Sequence, residues 1–195
     1  MKKLTLGIIV GSLFTIPLSV NAATKTATAT ATWQATAIKD TSSALVVTPL
    51  KTLTFNYAEG QKSFNQQDGA FDIAIQGVES ATDFELTSKL ITNTLTRTTD
   101  ESVLTVGVKW NGQALSESTP VTLIDTANGS TSGLDKLGLP ESYASADRTT
   151  DRGTFNFNIA SATSDGSTSA TFEELADGVW DGDVKVQFTA VWTTP

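Results

Sequence analysis

The sequence predicts an all-β fold, a β-sandwich of immunoglobulin-like type. Three observations carry the prediction. Val, Ile, Phe, Trp and Thr recur at alternate positions over most of the chain, the mark of strands with one face on a core and one in water. Asn-Gly and Asp-Gly pairs separate these runs, as hairpin turns require. About eight such short segments, with turns between them, match the strand spacing of a sandwich.

Taken in order, a strand is expected near Leu45–Val47. Leu53, Phe55 and Tyr57 then alternate with Thr52, Thr54 and Asn56. Phe71, Ile73 and Ile75 alternate with Asp72, Ala74 and Gln76, and a further strand is expected over Phe84–Ile91. Leu104, Val106, Val108 and Trp110 point one way while Thr105, Gly107 and Lys109 point the other. Asn111-Gly112 follows directly and fits a two-residue turn, because both residues tolerate positive φ. Val121–Ile124, Phe155–Ile159 and Val184–Trp192 complete the strands. Asn128-Gly129, Asp165-Gly166 and Asp181-Gly182 are further turn candidates. Residues Gly129 to Ala146 read as a long loop, and a short helix is expected around Glu173–Ala176.

The first 22 residues read as a secretory leader. Lys2 and Lys3 precede an apolar run from Leu4 to Leu18, and Val20-Asn21-Ala22 offers small residues for cleavage before Ala23. The run is short for a membrane span and contains Gly7, Gly11 and Pro17. The chain carries a net charge of −8 and becomes more acidic once Lys2 and Lys3 are removed. Such a surface argues against nucleic acid and anionic lipid as partners. There is no cysteine, so stability must come from core and ladder rather than disulfides. There is no histidine, which removes Ser-His-Asp and Cys-His catalysis and the usual zinc and copper sites. No cofactor is expected.

Chemistry has few places to reside. Glu173, Glu174, Asp177, Asp181 and Asp183 form the best acidic cluster. Paired carboxylates serve glycosidases, and oxygen-rich clusters hold calcium. The Asp-Gly pairs in the cluster have a turn explanation, and the EF-hand spacing is absent. Asn128-Gly129-Ser130 has the form of a glycosylation acceptor but reads better as a turn. No phosphate loop or nucleophile elbow is present. Trp110, Trp180 and Trp192 could stack on sugars, although Trp110 and Trp192 share parity with core positions. The chain is therefore read as a non-enzyme. One reading is a monomeric secreted carbohydrate-binding β-sandwich.

The most unusual stretch is residues 24–37, T-K-T-A-T-A-T-A-T-W-Q-A-T-A. In an extended conformation Ala27, Ala29, Ala31, Trp33, Ala35 and Ala37 share one face. Thr26, Thr28, Thr30, Thr32, Gln34 and Thr36 share the other. Three readings are open: a disordered Ala/Thr leader, an ordinary first strand, or a donor strand that completes a sheet in another molecule. No Pro, Gly or charge blunts the stretch between Thr26 and Ile38, although natural proteins usually blunt exposed strand edges. Each alanine methyl would contribute only about 0.8 kcal/mol on burial. Pairing would therefore rest on main-chain hydrogen bonds, with Trp33 as the one large anchor.

Segments throughout the chain resemble the major fimbrillins of the enterobacterial common pilus (Ecp or Mat fimbriae). They include Ala31-Thr32-Trp33, Leu45-Val46-Val47-Thr48-Pro49-Leu50, Tyr57-Ala58-Glu59-Gly60 and Phe71-Asp72-Ile73-Ala74-Ile75. The longest runs from Leu86 to Thr96, and Ile124-Asp125-Thr126-Ala127-Asn128-Gly129 and Asp183-Val184-Lys185-Val186-Gln187-Phe188 follow. The resemblance covers the mature chain and is weakest over Arg97–Ser102, Leu115–Pro120, Ser130–Ala146 and Ala160–Ala176. It implies a chaperone–usher pilin: an incomplete immunoglobulin-like sandwich that lacks one strand and is completed by donor-strand exchange. A periplasmic chaperone would fill the groove first, and an outer-membrane usher would exchange it for the next subunit's arm. A tip adhesin would cap a head-to-tail polymer on the cell surface, serving biofilm formation and host-cell adhesion. The implied organisation is a signal peptide at 1–22, a donor strand at 23–37 and a pilin domain at 38–195. The donor face is that of Ala27 to Ala37 above. The implied acceptor groove is lined by Leu45 and Val47 on one strand and by Val184, Val186 and Phe188 on another.

Overall fold

Where the chain alternates apolar and polar residues, it forms strands almost throughout. A computed structural model describes residues 44–131 and 133–195. The expected leader, its cleavage point and the face Ala27, Ala29, Ala31, Trp33, Ala35 and Ala37 lie outside the described residues.

The strands are β1 (Leu45–Pro49), β2 (Tyr57–Ala58), β3 (Ser63–Phe64), β4 (Gln67–Gln76), β5 (Asp83–Thr92), β6 (Thr94–Thr96) and β7 (Val103–Trp110). They continue with β8 (Gln113–Ala114), β9 (Val121–Asp125), β10 (Arg148–Thr163), β11 (Ser169–Ala170) and β12 (Lys185–Thr193). One short helix, α1 (Pro140–Tyr143), precedes β10. The larger sheet has the order β1-β4-β10-β7-β6, with β11 beside β10 and β8 beside β7. The smaller sheet has the order β12-β5-β9, and β2 and β3 pair separately. All these pairings are antiparallel.

The two sheets share one core. Phe71, Ile73 and Ile75 of β4, Leu104 to Trp110 of β7 and Phe155 to Ile159 of β10 supply one inner face. Phe84, Leu86 and Leu90 of β5, with Val121, Leu123 and Ile124 of β9, supply the other. Phe188 of β12 crosses between the sheets, with ring centroids 5.2 Å from Phe71 and 5.9 Å from Phe155. Two aromatic rings lie over glycines. A Cβ at Gly153 would run into the Phe71 ring, and one at Gly69 into the Phe157 ring. Bulges keep apolar parity inward. β10 slips at Ala160, after which Ala162 is again buried. β9 slips between its pairings at Ile124 and Thr122, so Leu123 and Ile124 are both buried.

The Asn111-Gly112 turn has the expected form, with φ of 47° and 86°, and joins β7 to β8. Gly129 and Gly166 also take positive φ in their turns. Four expectations need correction. Residues Leu53 and Phe55 do not lie in a paired strand; only Tyr57–Ala58 of that segment does, with β3. The stretch Gly129–Ala146 is more than a surface loop. Leu134 and Leu137 are fully buried, and α1 stacks Tyr143 on Phe84, so the segment plugs one end of the sandwich. Its apolar residues follow neither strand nor helix period, which hid them. Glu173–Ala176 forms a turn, not a helix: Glu174 N–H donates to Thr171 O, and the Glu174 carboxylate accepts from Thr171 N–H. Asp181-Gly182 is not a hairpin turn; Asp181 makes a two-bond bridge to Thr96.

Candidate acceptor groove

A strand with one buried face should hide every second residue, as β4, β5, β7 and β10 do. β12 alternates as strictly, but its inner residues Val186, Phe188, Ala190 and Trp192 are only half-buried. Among the described residues β12 pairs with β5 alone, so its second edge is free. β1 pairs with β4 alone, and its Leu45 and Val47 are likewise half-buried.

These two free edges flank the same side. Phe188 places β12 over β4 and β10, next to β1. On the opposite side the sheets are joined. Leu90 N–H donates to Ser116 O at 3.0 Å in the crossing between β8 and β9. β5 passes through Asn93 into β6 of the other sheet, and Asn93 exchanges bonds of 2.7 Å with Val106 through its side chain and its carbonyl. No ladder bridges β1 and β12 among the described residues.

The residues expected to line an acceptor groove fall on this open side. Leu45 and Val47 stand on β1, Val186 and Phe188 on β12, and Val184 just before it. Leu53 and Phe55, between β1 and β2, are also half-buried against the core and have no strand partner. Sequence reasoning took Leu53 and Phe55 for an ordinary strand. Their alternation was visible, but their missing partner was not. Two polar atoms on the inner face of the β12–β5 pair have no hydrogen-bond partner: Trp192 Nε1 and Ser88 Oγ, the latter paired in register with Phe188. Buried polar groups of this kind are rare and mark places where something is missing or strained.

The far end of the groove is held by a side-chain latch. Arg97 donates to Ala176 O and Asp177 O, both at 2.6 Å, and lies 5.4 Å over the Trp180 ring. Trp180 Nε1 donates to Ser102 Oγ at 2.9 Å. The Ser102 hydroxyl and N–H both donate to Asp100, and these bonds hold the Asp100 carboxyl below its usual value. The latch pins the connection from β11 to β12, and so fixes where β12 begins.

The acidic cluster does not converge on a site. Glu173 pairs with Lys62 at 2.7 Å, and Asp183 with Lys185 at 3.6 Å, all on exposed side chains. The Glu174 carboxyl is lowered by the Thr171 N–H. Among the described residues no three acidic side chains are grouped as metal ligands would be. Among the described residues no open indole awaits a sugar. Trp110 is buried, Trp180 lies under Arg97, and Trp192 packs at 5.1 Å on Phe84.

Comparison with known proteins bears on what such a groove is for. Residues 26–192 match the family model described as Fimbrillin MatB. The chain is 50% identical, over the full length of both, to the common pilus major fimbrillin subunit EcpA of Escherichia coli O1:K1. It is equally similar to the protein of that name from Klebsiella pneumoniae, again over the full length of both. Among solved structures, the CooA pilin subunit of enterotoxigenic Escherichia coli aligns with a TM-score of 0.40 and 16% identity, over 74% of this chain and 86% of that one. With the family model spanning most of the sequence and two full-length relatives at this identity, the chain belongs to the MatB fimbrillin family.

Proposed function

We propose that the groove between β1 and β12 receives the Ala/Thr stretch of a second copy, so that subunits polymerise by donor-strand complementation. The chain is a structural, non-enzymatic subunit of an extracellular pilus. The observation that carries the strand-exchange reading is the half-burial of Val186, Phe188, Ala190 and Trp192 along a free strand edge, opposite half-buried Leu45 and Val47. An added strand would cover that apolar row and take up the unpaired backbone groups of β12. The walls carry large side chains, and the proposed arm presents alanines, with Trp33 as its one large residue. Small residues therefore fit where bulky ones would collide.

In this reading residues 1–22 are a leader, 23–37 the donor strand and 38–195 the receiving domain. A periplasmic chaperone guards the groove before an outer-membrane usher exchanges it for the arm, and a tip adhesin ends the polymer. Biofilm formation and host-cell adhesion are the roles proposed for the assembled pilus. Family membership supports these partners and roles.

The absence of cysteine gives a clean test. Ala31→Cys is combined, one at a time, with Val184→Cys, Val186→Cys or Phe188→Cys in the full mature chain. Strand exchange predicts a disulfide-linked ladder of oligomers for at least one pair and none for Ala31→Cys with Thr150→Cys on the outer face. In parallel, residues 38–195 are melted with and without a peptide of residues 23–37. A rise of tens of degrees is expected. No ladder from any pair, together with a truncated domain that melts high and ignores the peptide, would overturn the reading.

A further inference from the structure

We infer that subunits also touch body to body, through an apolar patch of Val78 and Leu139 at one end of the sandwich and one of Val179 and Tyr57 at the other. This rests on the strand-exchange reading above and adds a second contact to it.

The geometry starts from where the chain leaves the described domain. Ala44 O accepts from Gln76 N–H at 2.7 Å, which puts the root of the arm at the C-terminal end of β4. Val78 and Leu139 stand at the same end. Val78 N–H donates to Tyr143 O at 2.9 Å, and Tyr143 N–H donates to Leu139 O at 3.1 Å, so both flank one residue. Val78 is 38% and Leu139 44% exposed.

The opposite end holds the start of β12 and the latch. Val179 is 71% exposed there, beside Trp180, on the connection whose carbonyls Arg97 grips. Tyr57, 38% exposed, stacks edge-on at 5.4 Å against Phe64, which in turn meets Trp180. Exposed apolar side chains on a flexible loop need no explanation, but these are held in place by aromatic packing and a guanidinium clamp. A preorganised patch loses little freedom on contact.

The tether brings the two ends together. All ladders in the described domain are antiparallel, and an arm laid antiparallel on β12 ends beside Lys185, at the Val179 end of the acceptor. Residues 38–43 then link Ala37 to Ala44 of the donor. A fully extended link of this length spans at most about 25 Å. The donor's Val78 end therefore faces the acceptor's Val179 end. The surfaces differ and the contact is heterologous, so it can repeat head to tail along a filament.

The test uses the full mature chain carrying the Ala31 and groove cysteine pair that gives a ladder. Val78→Glu and Val179→Glu are introduced separately, with Tyr57→Ser as a milder variant. Val179→Glu should leave melting of the unassembled subunit unchanged, since that side chain is 71% exposed, while Val78→Glu and Tyr57→Ser, at partly covered positions, are compared at equal distance below their own melting temperatures. Disulfide trapping at the groove should persist, while assembly slows about tenfold, the effect of one modest contact. Filaments seen by electron microscopy should be shorter and more flexible. Combining Val78→Lys with Val179→Glu should restore assembly. Wild-type rates and stiffness in both glutamate variants would overturn the contact while leaving strand exchange intact. A parent chain that forms no ladder removes this inference together with the reading it rests on.

Discussion

The two long sides of the sandwich are built from the same kinds of residue and behave differently. On the closed side, β5 turns through Asn93 into the opposite sheet, and Leu90, Ser116 and Val106 tie the edges together. There Leu86, Leu104, Val106 and Ile124 are fully buried or nearly so. On the open side, Leu45, Val47, Val186 and Phe188 are as apolar but stay half-covered. Burial is decided by what covers a strand edge, not by the side chain: β9 pairs with β5 alone, as β12 does, yet Val121, Leu123 and Ile124 are buried. Under the proposed strand exchange, residues on the closed side should govern the stability of a single subunit, and residues on the open side the stability of the polymer.

The largest expected effect separates these roles directly. Leu86→Ala should destabilise the unassembled domain by about 2–5 kcal/mol, read by denaturant melts. Phe188→Ala should cost less in the unassembled domain, where part of that surface already meets water. Once the groove is filled, its cost should rise to about 3–5 kcal/mol. Equal costs in both states would mean that β12 is an ordinary buried strand, and the comparison would fail.

Arg97→Ala probes how the open side is framed. Loss of two charge-assisted bonds should destabilise the domain by about 1.5–3 kcal/mol, and groove filling should slow because the start of β12 is no longer pinned. Arg97→Lys keeps the charge but not the fork, and should rescue little. On the larger sheet, Gly153→Ala drives a methyl into the Phe71 ring and should cost about 1–3 kcal/mol. Ser88→Ala should be neutral or stabilising by up to about 1 kcal/mol, because the hydroxyl it removes has no partner. A loss of more than that would reveal a partner for Ser88.

The acid response should be the mildest at neutral pH. Hydrogen bonds from the Ser102 hydroxyl and N–H lower Asp100, those from Thr168 and Ser167 lower Asp165, and those from Thr171 lower Glu174. A carboxyl lowered in the folded state contributes stability that is complete above its ordinary value and fades as pH falls through the folded one. The loops that frame the far end of the groove should therefore keep their strength down to the ordinary values of 3.8 and 4.5 and weaken only below them. Melts from pH 7 to 2 would show it. A loss centred between pH 5 and 7 would point to other groups.

How far the sequence could be read depended on locality. Strands announced by period-two runs, such as Phe71–Ile75 and Leu104–Trp110, form where expected, and so does the Asn111-Gly112 turn. Leu134, Leu137 and Tyr143 escaped, because a plug of turns buries its apolar residues without any period. The turn at Glu173 looked helical because acidic residues favour both a first helical turn and a capped loop. Arg97 gave no sign of its role, since besides Asp100, 3.2 Å away, its partners are main-chain carbonyls of Ala176 and Asp177, far along the chain.

The sequence by itself determined the all-β class, most strand positions, the lack of histidine and cysteine chemistry, and an Ala/Thr stretch of unusual regularity. These follow from side-chain alternation and composition, which act over a few residues. Only the tertiary structure decided which strands became edges. Leu45, Leu53, Val186 and Phe188 carry the same alternation as core strands, and nothing local marks them as lacking a neighbour. An edge is defined by an absent partner, and that absence exists only once the rest of the chain has folded around it.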